Sequence, residues 1–246
     1  MIHHSDCIDI LRTLPDGSID MILQDPPYNI TSCSWECDLD FPSLWKEWER
    51  VVKPTGIIAM TASQPFTSAL VLSNPKLFKH EWQWIKNKGS NFANTVREPF
   101  KEHETVVVFS RGGWTWNPQM QERTGAGEDR VKYDFNFRSK SENYREFEVR
   151  EGQSLPDLRV PSSWQKFNTE TGLHPTQKPV PLFRYLIRTY TNEGETVFDG
   201  YAGSGTTAVA CHLENRKYIC CEREPQHHET ATKRIEEATR QVCLFR

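Results

Sequence analysis

The chain lacks any long apolar run. Its longest hydrophobic stretches are four or five residues, such as Val106-Val107-Val108-Phe109, and its mean hydropathy is -0.67. A membrane-spanning helix needs about 20 apolar residues, so no segment is expected to cross a bilayer. The opening residues, Met1-Ile2-His3-His4-Ser5-Asp6, have neither a basic start nor an apolar stretch, so no secretory signal is expected. Paired cysteine spacing is also missing. The 7 cysteines are scattered, which argues against a disulfide framework and for a reducing, cytoplasmic setting. Cys33 and Cys37 have no second ligand pair to complete a zinc site, so no metal is expected. One-sided charge is absent too. With 30 Lys and Arg against 33 Asp and Glu, the net charge is -3, and any case for nucleic acid must come from motifs. Internal repeats and low-complexity tracts do not occur.

What remains is a 246-residue chain that is 37% hydrophobic and 26% charged, suited to one domain or one domain with an insertion. Ser5 or Asp6 can cap a helix running to Leu14. Ile19 to Leu23 reads as a buried strand ending at Asp25-Pro26-Pro27-Tyr28. Phe41, Leu44, Trp45, Trp48, Val51 and Val52 recur at helical spacing, and Pro54 closes that helix. Ile57–Thr61, Glu81–Ile85 and Thr105–Phe109 are further strands. Helix-period residues return at Leu182, Phe183, Leu186, Ile187 and Tyr190. The strand Thr196–Asp199, a glycine-rich turn, a helix to Leu213, the strand Lys217–Cys221 and a last helix from Pro225 to Arg240 follow. Alternating strands and helices imply an α/β sheet.

The alternation fails from about Arg111 to Glu170. Residues 111–150 carry eight Lys and Arg and seven Asp and Glu with no lasting apolar period. So long an irregular stretch is expected to be an inserted functional region. Should the motifs point to a nucleic acid, its cations, including Arg111, Arg123, Arg130, Lys132, Arg138 and Lys140, are the candidates for phosphates and base edges. Trp114 and Trp116 open the stretch, either facing DNA or forming a local hydrophobic cluster.

Two motifs carry chemistry. In Gly200-Tyr201-Ala202-Gly203-Ser204-Gly205-Thr206-Thr207 the glycines let backbone approach a ligand. Glu222 stands 23 residues after Asp199, near the offset of about 20 at which an acid meets ribose hydroxyls. A triphosphate loop would need Lys where Thr206 stands, and the dinucleotide pattern is not matched. The ligand is therefore expected to be a nucleoside, a purely structural turn being the alternative. In Asp25-Pro26-Pro27-Tyr28, two prolines fix the backbone between an acceptor and a flat aromatic. Asp25 and the Pro26 carbonyl can accept the hydrogens of an exocyclic amine, and Tyr28 can stack on its ring. A rigid turn between a strand and a loop is the lesser alternative for the tetrapeptide taken alone.

Together the motifs resemble the amino-group DNA methyltransferases, which use S-adenosyl-L-methionine to make N6-methyladenine or N4-methylcytosine. Asp25-Pro26-Pro27-Tyr28 matches their DPPY motif. Phe198-Asp199-Gly200-Tyr201-Ala202-Gly203-Ser204-Gly205-Thr206-Thr207 matches their cofactor motif, with Gly200 and Tyr201 replacing the commoner Pro and Phe. His174-Pro175-Thr176-Gln177-Lys178-Pro179 matches the family's block before the cofactor motif, Asp6-Cys7 matches its segment near the cofactor adenine, and Val51–Gly56 resembles the segment that leads into the next strand. The catalytic motif precedes the cofactor motif, as in the permuted β group. This resemblance implies a Rossmann-like methyltransferase fold with a mostly parallel sheet, helices on both faces and permuted motif order. It implies a catalytic half over 1–110, a target-recognition insertion over 111–170 and a cofactor half over 171–246. Thr176 and Lys178 join the cofactor residues by the same resemblance. Double-stranded DNA is the implied partner, with a flipped-out adenine as target because Asp at the first motif position is more usual for adenine than for cytosine. A homodimer and a companion restriction endonuclease also accord with the resemblance.

Overall fold

Ile19–Gln24 is buried at every position, the pattern of a strand covered on both faces. It is the second strand in chain order in a computed structural model that describes residues 1–29, 39–123, 157–173 and 176–243. The strands are β1 (Ile2–His4), β2 (Ile19–Gln24), β3 (Val52–Ala62), β4 (Phe78–Ile85), β5 (His103–Phe109), β6 (Gln121–Glu122), β7 (Leu158–Arg159), β8 (Trp164–Lys166), β9 (Thr196–Asp199) and β10 (Lys217–Glu222). The helices are α1 (Cys7–Thr13), α2 (Phe41–Val51), α3 (Phe66–Ser73), α4 (Val180–Tyr190), α5 (Thr206–Leu213) and α6 (Pro225–Cys243). Among the described residues no helix is long and apolar enough to cross a membrane.

One unit comprises Met1–Asn117 and Ser163–Arg246; the other is Pro118–Ser162, narrower than the 111–170 stretch expected from sequence. The second unit holds β6 paired antiparallel to β7. The first holds a sheet in the order β1-β10-β9-β2-β3-β5-β4-β8. Its first five strands are parallel, and β5 alone runs against its neighbours. Side chains alternate across it. Ile22, Ile58, Met60, Phe109 and Phe198 meet Leu11, Trp48 and Leu70 from α1, α2 and α3. Met21, Leu23, Ile57 and Val108 meet Leu186 and Ile187 of α4 and Ala210 of α5 on the other face. This is the period-2 pattern of a sheet with helices on both sides.

The chain winds outward in opposite directions from β2 and β9. From β2, α2 leads to β3; from β9, α5 leads to β10 on the other side. Because β2 and β9 are neighbours, a crevice opens beyond their carboxyl ends, the usual ligand position in such sheets. Asp25 follows β2 directly and Gly200 follows β9 directly.

Several elements differ from the sequence reading. The strand after α2 begins at Val52 rather than Ile57, so Pro54 lies inside it. Pairing there is irregular: Ile19 faces Val52, but Met21 faces Ile57. Such an irregularity tolerates a proline that cannot donate to a ladder. The three-residue strands β1 and β8 are too short to show a period, and β8 lies in the stretch expected to be irregular. Helix α3 was not expected at all; Phe66 and Leu70 bury its inner face.

Phe198 is fully buried on β9, immediately before the crevice. Phe198→Ala is expected to cost about 3–5 kcal/mol, and a loss below about 1 kcal/mol would contradict its packing. Urea unfolding, read as a lower midpoint at unchanged slope, measures it.

Candidate active site

The crevice is a cavity of about 390 Å³ lined by residues from both halves of the first unit. That size lies within the range of about 300–1,000 Å³ usual for small-molecule sites. Asp25, Pro26, Pro27 and Tyr28 form one wall. Asp199, Gly200, Tyr201, Gly203, Ser204, Thr206 and Thr207 form the opposite one. Asp6 and Cys7 at the start of α1, Thr176 and Lys178 before α4, and Glu222 at the end of β10 complete it. Two expected residues are not on this lining. Phe198 lies in the core, and Gly205 turns its back to the cavity: a Cβ there would sit 3.0 Å from the Ala231 side chain of α6. Gly205 therefore serves helix packing and a left-handed backbone with φ 79°, instead of leaving room for a ligand. Gly200 is needed for close approach, since its Cβ would meet that of Cys7 at 2.9 Å. This accounts for glycine where the commoner motif has proline.

The carboxylates are held by named donors. Asp6 caps α1, accepting from the Ile8 amide at 2.9 Å. Glu222 accepts from the Gly203 amide with one oxygen and from the Glu224 amide with the other, both at 2.8 Å. Asp199 accepts from the Tyr201 amide at 2.9 Å and from the Thr207 hydroxyl, and so shapes the turn from within. Burial pushes its carboxyl up to about 7. The Thr206 hydroxyl donates to the Lys178 carbonyl at 3.1 Å, joining the turn to the segment before α4. Burial likewise pushes the Cys7 thiol up to about 11, which keeps it protonated and unsuited to nucleophilic work.

Asp25 is the most heavily engaged. Its Oδ1 accepts from the Tyr28 hydroxyl at 2.7 Å and from the Thr61 hydroxyl of β3. Its Oδ2 accepts from Lys178 Nζ at 2.7 Å. A carboxylate offers about four lone-pair sites, so roughly one remains, on Oδ2. Tyr28 stacks on Phe66 of α3 with ring centres 5.2 Å apart, and Lys178 Nζ lies 5.4 Å from its ring centre. Burial, with the negative charge of Asp25 beside it, holds the Tyr28 phenol well above its ordinary range, so its hydroxyl remains a donor.

Sequence reasoning missed several supporting residues. Arg234 of α6 donates to the Ser204 carbonyl at 3.2 Å and to the hydroxyls of Ser204 and Thr206 at 3.1 and 3.0 Å. Glu170 accepts from the Val180 amide and the Gln177 side chain, each at 3.2 Å. Neither residue stands in a motif, and only the fold brings them to the turn. Glu104 and Lys86 are buried behind Asp25; a charged residue entering the apolar run Thr105–Phe109 was the one available signal.

Of the expected DNA-contacting cations, Arg111 is the described one in the first unit, and it does not line this cavity. Arg111 follows the carboxyl end of the reversed strand β5, at the opposite end of the sheet, and its guanidinium donates to the Val52 carbonyl. The Arg123 amide donates to the Asp157 carbonyl within the second unit. Arg130, Lys132, Arg138 and Lys140 lie outside the described residues. Trp114 and Trp116 join an aromatic cluster with His80 and Trp82 at that same far end, the local-cluster alternative of the sequence reading.

Comparison with known proteins agrees with this geometry. A family model described as "DNA methylase", for N6 and N4 methyltransferases, matches residues 19–233. The type II methyltransferase M.HpaI of Haemophilus parainfluenzae is 26% identical over 94% of this chain and 73% of its own length. M.HinfI of Haemophilus influenzae, also a type II methyltransferase, is 27% identical over 94% of this chain and 67% of its own. The crystal structure of an M1.HpyAVI–SAM complex superposes with a TM-score of 0.64 at 25% identity, covering 95% of this chain and 98% of that one. The cytosine-N4-specific PvuII DNA methyltransferase shares the fold, with a TM-score of 0.65 at 16% identity over 98% of this chain and 91% of that one.

The raised Asp199 carboxyl has a testable consequence. Between its ordinary 3.8 and about 7, the folded chain binds a proton that the unfolded chain releases. Stability from this group is therefore full below that window and is lost as pH rises through it. Asp199→Asn is expected to flatten the fall. Denaturation midpoints across the window test this; a variant with the wild-type slope would show that the dependence arises elsewhere.

Proposed function

Because this chain belongs to the DNA methylase family, we propose that it transfers a methyl group from S-adenosyl-L-methionine to the N6 amine of an adenine in double-stranded DNA. The observation carrying this reading is the meeting of the Asp25–Tyr28 wall and the Gly200–Thr207 wall across one cavity at the β2–β9 crevice.

The cavity suits that cofactor. Among the described residues six acids line it (Asp6, Asp25, Asp40, Asp199, Glu222 and Glu224), against Lys178 and Arg223 among lysines and arginines. Such a wall favours a ligand with a positive centre. Glu222 uses one lone-pair site per oxygen on backbone amides, so about two remain for ribose hydroxyls. S-adenosyl-L-methionine supplies a methyl already activated by its sulfonium, so no metal is invoked.

The chain's own residues then position the amine. Adenine N6 is a poor nucleophile because its lone pair is delocalised into the ring. The free site on Asp25 Oδ2 and the Pro26 carbonyl accept its two hydrogens and return electron density to nitrogen. Thr61, Tyr28 and Lys178 fix the direction of that carboxylate. Holding the amine in line with the methyl supplies catalysis by orientation. The new N–C bond takes the nitrogen pair, the methyl–sulfur pair stays on sulfur, and the extra proton on nitrogen leaves to solvent or Asp25. A base inside a duplex cannot reach this wall, so the target must be flipped out at a cost of a few kcal/mol. Tyr28 offers an aromatic surface toward that base, with Phe66 stacked on it for support.

An aspartate at the first position of the motif favours adenine; N4-cytosine is the second reading, which the same walls would serve. The second unit and the stretch around it are the proposed place of target recognition, and the cytoplasm the proposed setting. Labelled methyl transfer to duplex DNA, followed by nucleoside analysis, is expected to yield N6-methyladenine. N4-methylcytosine would reassign the base, and no labelled DNA would overturn the reading. Asp25→Ala is expected to slow transfer at least about a hundredfold, at the low end of what a positioned proton acceptor contributes. Glu222→Ala is expected to weaken cofactor binding by about 1.5–3 kcal/mol, the range for hydrogen bonds to a charged group. Calorimetry that found the Glu222 variant unchanged would remove the ribose assignment.

A further inference from the structure

A line of buried charge runs away from the cavity behind Asp25. Lys178 Nζ lies 2.7 Å from Asp25 Oδ2 and 3.5 Å from Glu104 Oε2. Lys86 Nζ lies 3.0 Å from Glu104 Oε1 and 3.3 Å from the Ser90 hydroxyl. The side chains of Lys86 and Lys178 are only 4% and 6% exposed, and that of Glu104 is 16% exposed. Four elements contribute one charge each: the end of β2, the segment before α4, the start of β5 and the residue after β4. The two acids and two bases cancel. Burying so many charges is costly unless each is paired, so the arrangement must be balanced to persist.

The line does not end in the core; it ends on the oxygen that keeps the free lone pair. Lys178 and an incoming amine compete for Asp25 Oδ2. If Glu104 were neutral beside a charged Lys86, two ammonium groups would bear on Asp25 alone and weaken that oxygen as an acceptor. Glu104 draws part of the ammonium toward itself, and Lys86 in turn holds Glu104. Burial works against the charge on Glu104, yet the two ammonium groups keep its carboxyl below the usual range. Burial likewise opposes the Lys178 charge, and Asp25 and Glu104 outweigh it.

We propose that Glu104 and Lys86 are positioning residues for methyl transfer, setting how strongly Lys178 engages Asp25 and so how strongly Asp25 draws on the target amine. Neither lines the cavity, and neither is expected to touch substrate. The proposal rests on the methyltransferase reading and adds two residues that no motif singled out.

The test compares Glu104→Gln with the double variant Glu104→Gln, Lys86→Met, measuring kcat, KM for DNA and cofactor affinity. Glu104→Gln keeps the shape but leaves two buried ammonium groups against one carboxylate. Its kcat is expected to fall roughly tenfold or more, with KM and cofactor affinity within about twofold of wild type. Lys86→Met with Glu104→Gln restores neutrality, leaving the Asp25–Lys178 pair alone, and is expected to recover much of the lost kcat. A double variant no better than Glu104→Gln would overturn the charge-balance proposal while leaving the methyltransferase reading intact. So would a wild-type kcat in Glu104→Gln, or a loss shared equally by KM and cofactor affinity. If Glu104→Gln does not fold, the charge-balanced double variant carries the test: a kcat more than about a hundredfold below wild type with normal cofactor affinity would overturn the proposal. Wild-type protein that transfers no methyl to DNA would overturn both together.

Discussion

The pairing of β2 with β9 is the constraint from which the site follows. Met21 and Ile22 lie beside Val197 and Phe198, so two segments more than 170 residues apart end at the same level of the sheet. The helices after them leave in opposite directions, and a cavity lies between. Asp25 and Gly200 become neighbours for that reason alone. The order of the two motifs along the chain is then immaterial to the chemistry. A permuted chain reaches the same crevice as long as these two strands stay adjacent.

Concentrating acids there creates a problem that the surrounding residues solve. Unpartnered carboxylates in a partly buried cavity would be expensive. Asp6 is satisfied by a helix amide, Asp199 by its own turn, Glu222 by two amides, and Asp25 by two hydroxyls and an ammonium. Their partners also stiffen the walls. Arg234, anchored on α6, reaches across to Ser204 and Thr206, and Thr206 reaches Lys178, which pairs with Asp25, so the two walls of the cavity form one bonded network. What the cavity retains is a negative lining with unused acceptor capacity, complementary to a cationic nucleoside and a hydrogen-bearing amine.

Much of this was legible in the residues. Alternating strands and helices announced the α/β sheet, and two short motifs located both walls because their chemistry needs consecutive residues. Residues whose work depends on distant contacts were not legible. Phe198 and Gly205 sit within the cofactor motif, yet one serves the core and the other serves α6, since a motif records position along the chain and not direction in space. Arg111 was grouped with the other cations by its neighbours in sequence, which do not tell that the reversed strand β5 carries it to the far end of the sheet from the cavity. Glu104 meets Lys178 across 74 residues of chain, Lys178 meets Asp25 across 153, and Arg234 meets Ser204 and Thr206 across 30 and 28, and such separations leave no local pattern. Short strands such as β1 and β8 form because a neighbour offers an edge, which three residues of sequence cannot declare.

The central claim is that one crevice holds the methyl donor and the target amine in contact with Asp25. A crystal structure of the protein with a non-reactive S-adenosyl-L-methionine analogue and duplex DNA tests it directly. The ribose is expected at Glu222, the sulfonium position beside Asp25, and the flipped base with its amine on Asp25 Oδ2 and the Pro26 carbonyl, about 3–3.5 Å from the methyl position. An analogue bound outside the β2–β9 crevice, or a target amine that faces away from Asp25, would contradict it.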